Sequence, residues 1–120
     1  MINKIYKSVL ITGAADGIGL ETLKRVLKEK IDVYALDKNI TKLKKLQKKY
    51  KFKIIELDLT NTDKIYEILS KLKVDILVAN AGIGRGAEGI LKASRKDIEI
   101  STKINLESYL HLLKTIVPGM

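Results

Sequence analysis

Short apolar segments alternate along the chain with longer segments in which apolar residues recur at helical spacing. The apolar segments are residues 8–12, 31–36, 52–57 and 74–79. Strands of a parallel sheet are buried on both faces, so they are almost continuously apolar, as Ser-Val-Leu-Ile-Thr and Asp-Ile-Leu-Val-Ala are here. The alternation predicts an α/β fold with a doubly wound parallel sheet, right-handed crossovers and strand order 3-2-1-4.

The intervening segments predict helices that cover this sheet. One helix is predicted over residues 18–29, and a second, lysine-rich helix carries Leu43, Leu46 and Tyr50 on its buried side. A third begins at Asn61, because Asn-Thr-Asp suits an N-cap followed by an acidic first turn. A last helix is predicted over residues 94–117, where Pro-Gly ends it.

The first predicted strand runs directly into a glycine-rich turn, since residues 9–19 read V-L-I-T-G-A-A-D-G-I-G. Gly13 can take the tight turn that leaves the strand, Gly17 lets the backbone approach a pyrophosphate, and Gly19 allows the next helix to pack closely. The first amide groups of that helix have no intrahelical partner and lie at its positive end, so they favour a diphosphate. The spacing predicts a Rossmann-like domain that binds a dinucleotide.

An acidic residue refines the predicted ligand. Asp37 closes the second strand, where a carboxylate can accept hydrogen bonds from an adenosine ribose and repels a 2′-phosphate. At about 4 Å and an effective dielectric near 20, this repulsion is roughly 4 kcal/mol per phosphate charge. Asp16 adds a further negative charge, and an exposed Lys38 offsets the repulsion only in part. We therefore predict NAD in preference to NADP.

Composition limits the remaining classes of function. A chain of 120 residues that is 46% hydrophobic has room for one modest core, which predicts a single domain over residues 1–120. The net charge is +9, but only three of the 23 basic residues are arginine, so specific nucleic-acid recognition is not favoured. No signal peptide and no apolar run of about 20 residues is present, which predicts a cytoplasmic protein with no membrane partner.

Other candidate sites have ordinary explanations. The chain has no cysteine, and its one histidine, His111, has no second ligand at metal-binding spacing, so we assign no metal. The basic run over residues 42–53 keeps a helical apolar period and is interpreted as a solvated helix face. The glycine-rich stretch after the fourth strand, with Gly82, Gly84, Gly86 and Gly89, is either a mobile loop over the nicotinamide end or a plain connector.

Further motifs extend the pattern along the whole chain. Thr12-Gly13-Ala14-Ala15-Asp16-Gly17-Ile18-Gly19, Asp58-Leu59-Thr60, Asn80-Ala81-Gly82 and Ile104-Asn105 together resemble the classical short-chain dehydrogenase/reductase family. The resemblance implies that Asp58 and Leu59 contact the adenine, that Asn80 and Gly82 border the ribose and nicotinamide side, and that Asn105 matches the family's catalytic-helix asparagine. The chain departs from the family at Ala79, Asp16 and Ser108, where Asn, Ser and Gly are commoner. The predicted cofactor-binding residues are Gly13, Asp16, Gly17, Ile18, Gly19, Asp37, Lys38, Asp58, Leu59, Asn80, Ala81 and Gly82.

The family's catalytic serine and Tyr-x-x-x-Lys pair have no counterpart in these 120 residues. Tyr34 and Lys38 match the string, but they lie in a predicted strand, where four residues span about 13 Å rather than the roughly 5–6 Å of a helix. We expect a fold truncated after the fourth strand and its following helix, and no turnover by the chain alone. Asn105, the remaining catalytic candidate, could instead bond only to neighbouring backbone.

The sequence thus predicts the dinucleotide-binding half of an NAD(P)-dependent oxidoreductase that interconverts alcohols and carbonyls. A non-catalytic NAD-binding module, an inactive gene fragment and, least favoured, a nucleic-acid-binding protein stay open. The fourth strand would leave an apolar edge, and the last helix carries more apolar residues than one face needs. A homodimer or a complementing C-terminal half is therefore a predicted partner.

Overall fold

A four-stranded parallel sheet forms the centre of the molecule. The computed structural model describes residues 5–84 and 88–120, so the prediction for Gly86 lies outside the described residues. The strands stand in the order β3-β2-β1-β4, which confirms the predicted Rossmann-like topology. Their bounds are β1 Ser8–Thr12, β2 Asp32–Asp37, β3 Lys53–Glu56 and β4 Ile76–Val78.

The outer strands are shorter than their apolar runs predict. Phe52, Leu57 and Val74 are buried, yet they lie outside the strands. Each packs into the core from the loop beside its strand, so burial rather than strand pairing explains its apolar character.

Helices lie on both sides of the sheet. They are α1 Gly17–Val26, α2 Thr41–Gln47, α3 Thr62–Leu69, α4 Arg95–Thr102 and α5 Ser108–Ile116. Asn61 caps α3 as predicted, because its side chain accepts a hydrogen bond from the Lys64 amide at 3.1 Å. Ser94 caps α4 through a reciprocal capping box with Asp97.

The single helix predicted over residues 94–117 is wrong in one respect. A π turn over Lys103–Glu107 separates α4 from α5, and the apolar periodicity of the sequence does not reveal it. The helix predicted over residues 18–29 also ends early, at Val26, because the amides of Lys28 and Glu29 bond to carbonyls three residues back.

Two apolar clusters fill the space between the sheet and its helices. Alternate residues of β1 point to opposite faces, so Val9 and Ile11 pack with α1 and α2 while Leu10 packs with α3 and α5. Ligands of open α/β sheets bind at the carboxyl ends of the strands. Within the described ranges, no helix is long and apolar enough to cross a membrane.

Candidate cofactor site

The turn between β1 and α1 has the backbone that its glycines predict. Gly13 has φ 64°, a conformation that favours glycine. A Cβ on Gly19 would overlap the Gly13 carbonyl and lie 2.5 Å from the Asn80 amide nitrogen. The start of α1 is therefore packed directly against the turn, as the third glycine of the motif predicts.

A buried threonine fastens this turn to the end of β4. The Thr12 hydroxyl oxygen accepts hydrogen bonds from the backbone amides of Asn80 and Ala81, both at 3.1 Å. In return, the Asn80 side-chain amide donates to the carbonyls of Thr12 at 3.2 Å and Gly13 at 3.3 Å. Sequence reasoning assigned Asn80 to the cofactor's ribose side and gave Thr12 no role, but the Asn80 amide group holds the turn.

Asp16 caps the helix that follows. Its carboxylate accepts a hydrogen bond from the Gly17 amide at 2.9 Å and lies 3.1 Å from the Lys42 ammonium. The hydrogen bond from Lys42, followed by that from Gly17, lowers the pKa of Asp16. Beside them the surface is open: no atom lies within 4 Å of a Cβ built on Gly17, and Ile18 is 79% exposed. Lys42 thus offsets part of the negative charge of Asp16, which by itself would disfavour an anionic ligand.

Asp37 is anchored at the end of β2 by two backbone amides. One carboxylate oxygen accepts from the Ala15 amide and the other from the Asn39 amide, each at 3.0 Å. The carboxylate therefore lies against the glycine-rich turn. It is half-buried there, while the neighbouring Lys38 is exposed.

Asp58 is held locally after β3. One of its oxygens accepts from the amide and the hydroxyl of Thr60, at 2.9 and 2.8 Å, and the bond from the amide is the main reason that its pKa is lowered. The adjacent Leu59 is buried.

A cleft at the carboxyl ends of the strands gathers seven of the twelve predicted cofactor residues. Its walls are Gly13, Leu36, Asp37, Lys38, Leu57, Asp58, Leu59, Ala81, Gly82, Ile83 and Ile104. Asp16, Gly17, Ile18, Gly19 and Asn80 lie outside it, at the start of α1 and behind the turn. A wider depression of about 1490 Å³ runs along α1 and the end of α2, but only Asp16, Gly17 and Ile18 of the predicted residues reach it. The cleft is the better candidate because charged and apolar groups from four strand ends converge there.

Asn105 lies in the π turn and bonds to the loop that follows β4. Its side-chain oxygen accepts from the Ile83 amide and its side-chain nitrogen donates to the Ile83 carbonyl, both at 2.8 Å. A Cβ on Gly82 would lie 3.2 Å from the Asn105 oxygen, so glycine permits this approach. The backbone-bonding interpretation of Asn105 is the one observed, and its catalytic role stays a prediction.

His111 lies between α3 and α5. Its Nδ1 is 2.8 Å from the Tyr66 hydroxyl, and its Nε2 is 3.7 Å from a Glu107 oxygen. Over residues 5–84 and 88–120, no group of three histidine, cysteine or acidic side chains is arranged to hold a metal. His111 is thus an interface residue between two helices.

The sheet topology defines an α/β fold of the Rossmann-like class. The family model for short chain dehydrogenases matches residues 7–120, and the chain belongs to that family. It is 32% identical, over 119 residues, to an NADP-dependent 3-hydroxy acid dehydrogenase of Escherichia coli (strain K12), covering 93% of this chain and 48% of that protein. The chain therefore spans about half the length of the curated relatives that it matches.

Solved structures support the same family. The closed form of serine dehydrogenase complexed with NADP+ superposes with a TM-score of 0.86 at 32% identity, over 94% of this chain and 48% of that one. A 4-hydroxyisoleucine dehydrogenase mutant complexed with NADH and succinate has a TM-score of 0.83 at 30% identity, over 93% and 48% of the two chains. Relatives of this fold thus carry either nicotinamide cofactor.

Proposed function

We propose that this chain is a single domain that supplies the dinucleotide-binding half of an oxidoreductase that interconverts alcohols and carbonyls. The observation that carries the proposal is the cleft at the carboxyl ends of the strands, where Gly13, Asp37, Asp58 and Gly82 converge. Family membership supports it. The predicted location of this activity is the cytoplasm.

The residues present fit a dinucleotide. The open surface beside Gly17, at the first turn of α1, suits the diphosphate. Asp37 is positioned to accept hydrogen bonds from ribose hydroxyls, and Leu36, Leu57 and Leu59 provide an apolar wall for the adenine. Gly82 and Ile83 would border the nicotinamide side. When bound, the nicotinamide supplies hydride transfer; this chain binds and orients the cofactor.

NAD is the proposed preference over NADP. Two backbone amides hold the Asp37 carboxylate at the cleft, so its charge cannot swing away from a 2′-phosphate without losing those hydrogen bonds. Lys38, which would favour the phosphate, is exposed and screened by solvent. The NADP-dependent relative argues the other way, so the proposed preference rests on the Asp37 carboxylate.

Calorimetric titration of the purified chain with NAD and with NADP tests both proposals. Asp37→Asn is a better variant than Asp37→Ala, because asparagine removes the charge but keeps the size of the side chain and an acceptor oxygen for one of the two backbone amides. We expect NAD to bind more tightly to the wild type and the preference to fall by about tenfold or more in the variant. Asp32→Asn, an exposed change at the other end of β2, is the matched control.

Two results would contradict these proposals. Tighter binding of NADP than of NAD by the wild type would overturn the NAD preference. Failure of a folded sample to bind either dinucleotide would overturn the function.

A non-catalytic NAD-binding module is the second candidate, because the described residues hold no tyrosine–lysine pair at the cleft. Tyr34 and Lys53 do meet, with 3.1 Å between hydroxyl and ammonium, but they face each other across β2 and β3, away from the cleft. Turnover of alcohols by the chain mixed with a complementing C-terminal half, and none by the chain alone, would favour the oxidoreductase. Cofactor binding without turnover in either sample would favour the module.

A homodimer or a complementing half is the proposed partner. Apolar side chains that are between 41% and 54% exposed recur at helical spacing from the π turn to the C-cap of α5: Leu106, Tyr109, Leu110 and Val117. Analytical ultracentrifugation of the chain over a range of concentrations distinguishes a dimer from a monomer that lacks its partner.

A further inference from the structure

Ser108 lies at the junction of the π turn and α5, where the helical hydrogen-bond pattern changes. Its backbone amide donates to the carbonyl of Lys103, five residues back. In a regular α-helix the same amide would serve the carbonyl of Ile104. In the π turn, the Ile104 carbonyl therefore does not receive the Ser108 amide as its hydrogen-bond donor.

The Ser108 side chain supplies that missing donor. Its hydroxyl donates to the Ile104 carbonyl at 2.6 Å, and the serine is only 2% exposed. Ile104 is itself buried, so water could not readily replace the hydroxyl. A buried carbonyl without a partner is costly, whereas this hydroxyl satisfies it within the turn.

The π turn matters because Asn105 lies inside it. From there the side chain of Asn105 bonds to both backbone groups of Ile83, and Ile83, Gly82 and Ile104 line the cleft. A return to regular α-helix would rotate Asn105 relative to α5, because each π turn contains one more residue than an α turn. The hydrogen bonds to Ile83 would then be lost or lengthened.

We propose that Ser108 is a positioning residue for the cofactor cleft: its hydroxyl holds the π turn, and the π turn directs Asn105 to Ile83. The relevance to a cofactor rests on the proposed function. The connection from Ser108 to Ile83 is a property of the chain itself and is tested without any ligand.

The other bond across this turn is weaker support. The Lys103 ammonium lies 2.8 Å from a Glu107 oxygen, but that carboxylate is half exposed, so solvent and salt screen the pair. The Lys103 ammonium also bonds to the Thr62 hydroxyl at 3.0 Å, which ties the turn to α3. Ser108 is the buried contact within the turn, and we expect it to contribute more than the exposed ion pair.

Hydrogen exchange of the Ile83 amide, followed by NMR in the chain without cofactor, is the direct test. Ser108→Ala should accelerate exchange at Ile83 by roughly tenfold, the loss expected for one hydrogen bond, with little change at the buried amides of β1. Ser101→Ala is the matched control, because the Ser101 hydroxyl is also buried in this helical segment but has no hydrogen-bond partner among the described residues. Its removal should leave Ile83 unchanged.

A double variant isolates the route through Asn105. Asn105→Ala alone should accelerate exchange at Ile83, and adding Ser108→Ala should produce no further acceleration at that amide. Additive acceleration would overturn the proposal, because Ser108 would then act on Ile83 without Asn105. Unchanged exchange at Ile83 in Ser108→Ala, or an equal increase at every amide, would also overturn it.

Ser108→Cys keeps the test decisive if the alanine variant does not fold. A thiol is close in size and a weaker donor, so exchange at Ile83 should be moderately faster than in the wild type while the β1 amides keep their protection. Wild-type exchange at Ile83 with Ser108→Cys would overturn the proposal. A separate NAD titration of the wild type reports on the proposed function, so the two failures are distinguishable.

Discussion

The two ends of the candidate site are built in different ways. At the turn after β1, the backbone of Gly13 and the close packing of Gly19 create the shape, and residues six apart in the chain meet. At the loop after β4, Asn105 reaches Ile83 across 22 positions of sequence from within a π turn. The shape of the first end comes from local backbone, which Thr12 and Asn80 fasten to the end of β4. The second end depends on one side chain, which the π turn directs to the loop.

This difference indicates how each end should respond to mutation. The turn is connected to the apolar core through Thr12 and the packed start of α1, so damage there should lower the stability of the whole fold. The Asn105 contact lies at the surface, so damage there should loosen one loop and leave the core intact. The predictions below test that contrast.

Gly19→Ala should have the largest effect. Its Cβ would overlap the Gly13 carbonyl, so the start of α1 must move away from the turn, and we expect the free energy of unfolding to fall by about 3 kcal/mol or more. Urea denaturation followed by circular dichroism measures the change. Gly84→Ala is the control, because no atom lies within 4 Å of its Cβ position. Equal stability of the two variants would contradict the role of close packing at Gly19.

Thr12→Val should follow. The change keeps the shape of a fully buried side chain but takes the acceptor from the amides of Asn80 and Ala81, which costs about 2 kcal/mol. The same denaturation experiment applies, with the largest increase in hydrogen exchange expected at those two amides. Thr22→Val, which removes a hydrogen bond only to the Ile18 carbonyl of the same helix, should change stability by less than about 0.5 kcal/mol. A Thr12→Val protein as stable as the wild type would show that the hydrogen bonds between Thr12 and the end of β4 do not stabilise the fold.

Asn105→Ala should act locally. Losing both hydrogen bonds to Ile83 should destabilise the loop after β4 by about 1.5 kcal/mol or more while the global unfolding free energy changes less. Hydrogen exchange at Ile83, compared with a core amide such as that of Ile11, separates the two quantities. A loss of global stability as large as that of Thr12→Val would contradict the proposed division between the two ends.

Asp75 lies at the amino ends of β1 and β4, opposite the cleft. Its substitution should have the smallest effect on stability, visible only at acidic pH. Hydrogen bonds from the Lys7 amide, at 2.7 Å, and from Ser8 lower its pKa in the folded protein. A carboxyl whose folded pKa is depressed stabilises the protein above its unfolded pKa, near 4, and this contribution is lost as the pH falls through the folded value. Stability should therefore decline more steeply below about pH 4 in the wild type than in Asp75→Asn.

Denaturant midpoints from neutral pH to about pH 3 measure that slope. A residual slope is expected in the variant, because the pKa values of Asp58 and Glu107 are also lowered. Identical slopes in the two proteins would contradict the role assigned to Asp75. NAD binding at neutral pH should be the same in both, since Asp75 is remote from the cleft.

Three features could be predicted from the sequence because each depends on a local pattern. They are the succession of strands along the chain, the glycine-rich turn and the position of Asp37 at the end of β2. Apolar runs mark buried strands, and glycine spacing marks a backbone that only glycine adopts easily. The hydrogen-bond partner of Asn80 could not be predicted from the sequence, because the same side chain could face a cofactor or turn back to the Gly13 carbonyl. The π turn that ends at Ser108 could not be predicted either. One extra residue in a helical turn hardly changes the spacing of apolar residues, and Ile104 and Leu112 are still buried.

The sequence by itself determined the fold class and the glycine-rich turn, because hydrophobic periodicity and glycine conformation act over a few residues, and the strand order followed from the right-handed crossovers of such folds. Only the tertiary structure decided that Thr12 and Asn80 lock that turn to β4, that Lys42 partners Asp16, and that a π turn directs Asn105 to Ile83. Those contacts join residues far apart in the chain, and a side chain's partner depends on which backbone groups the completed fold leaves unsatisfied within its reach.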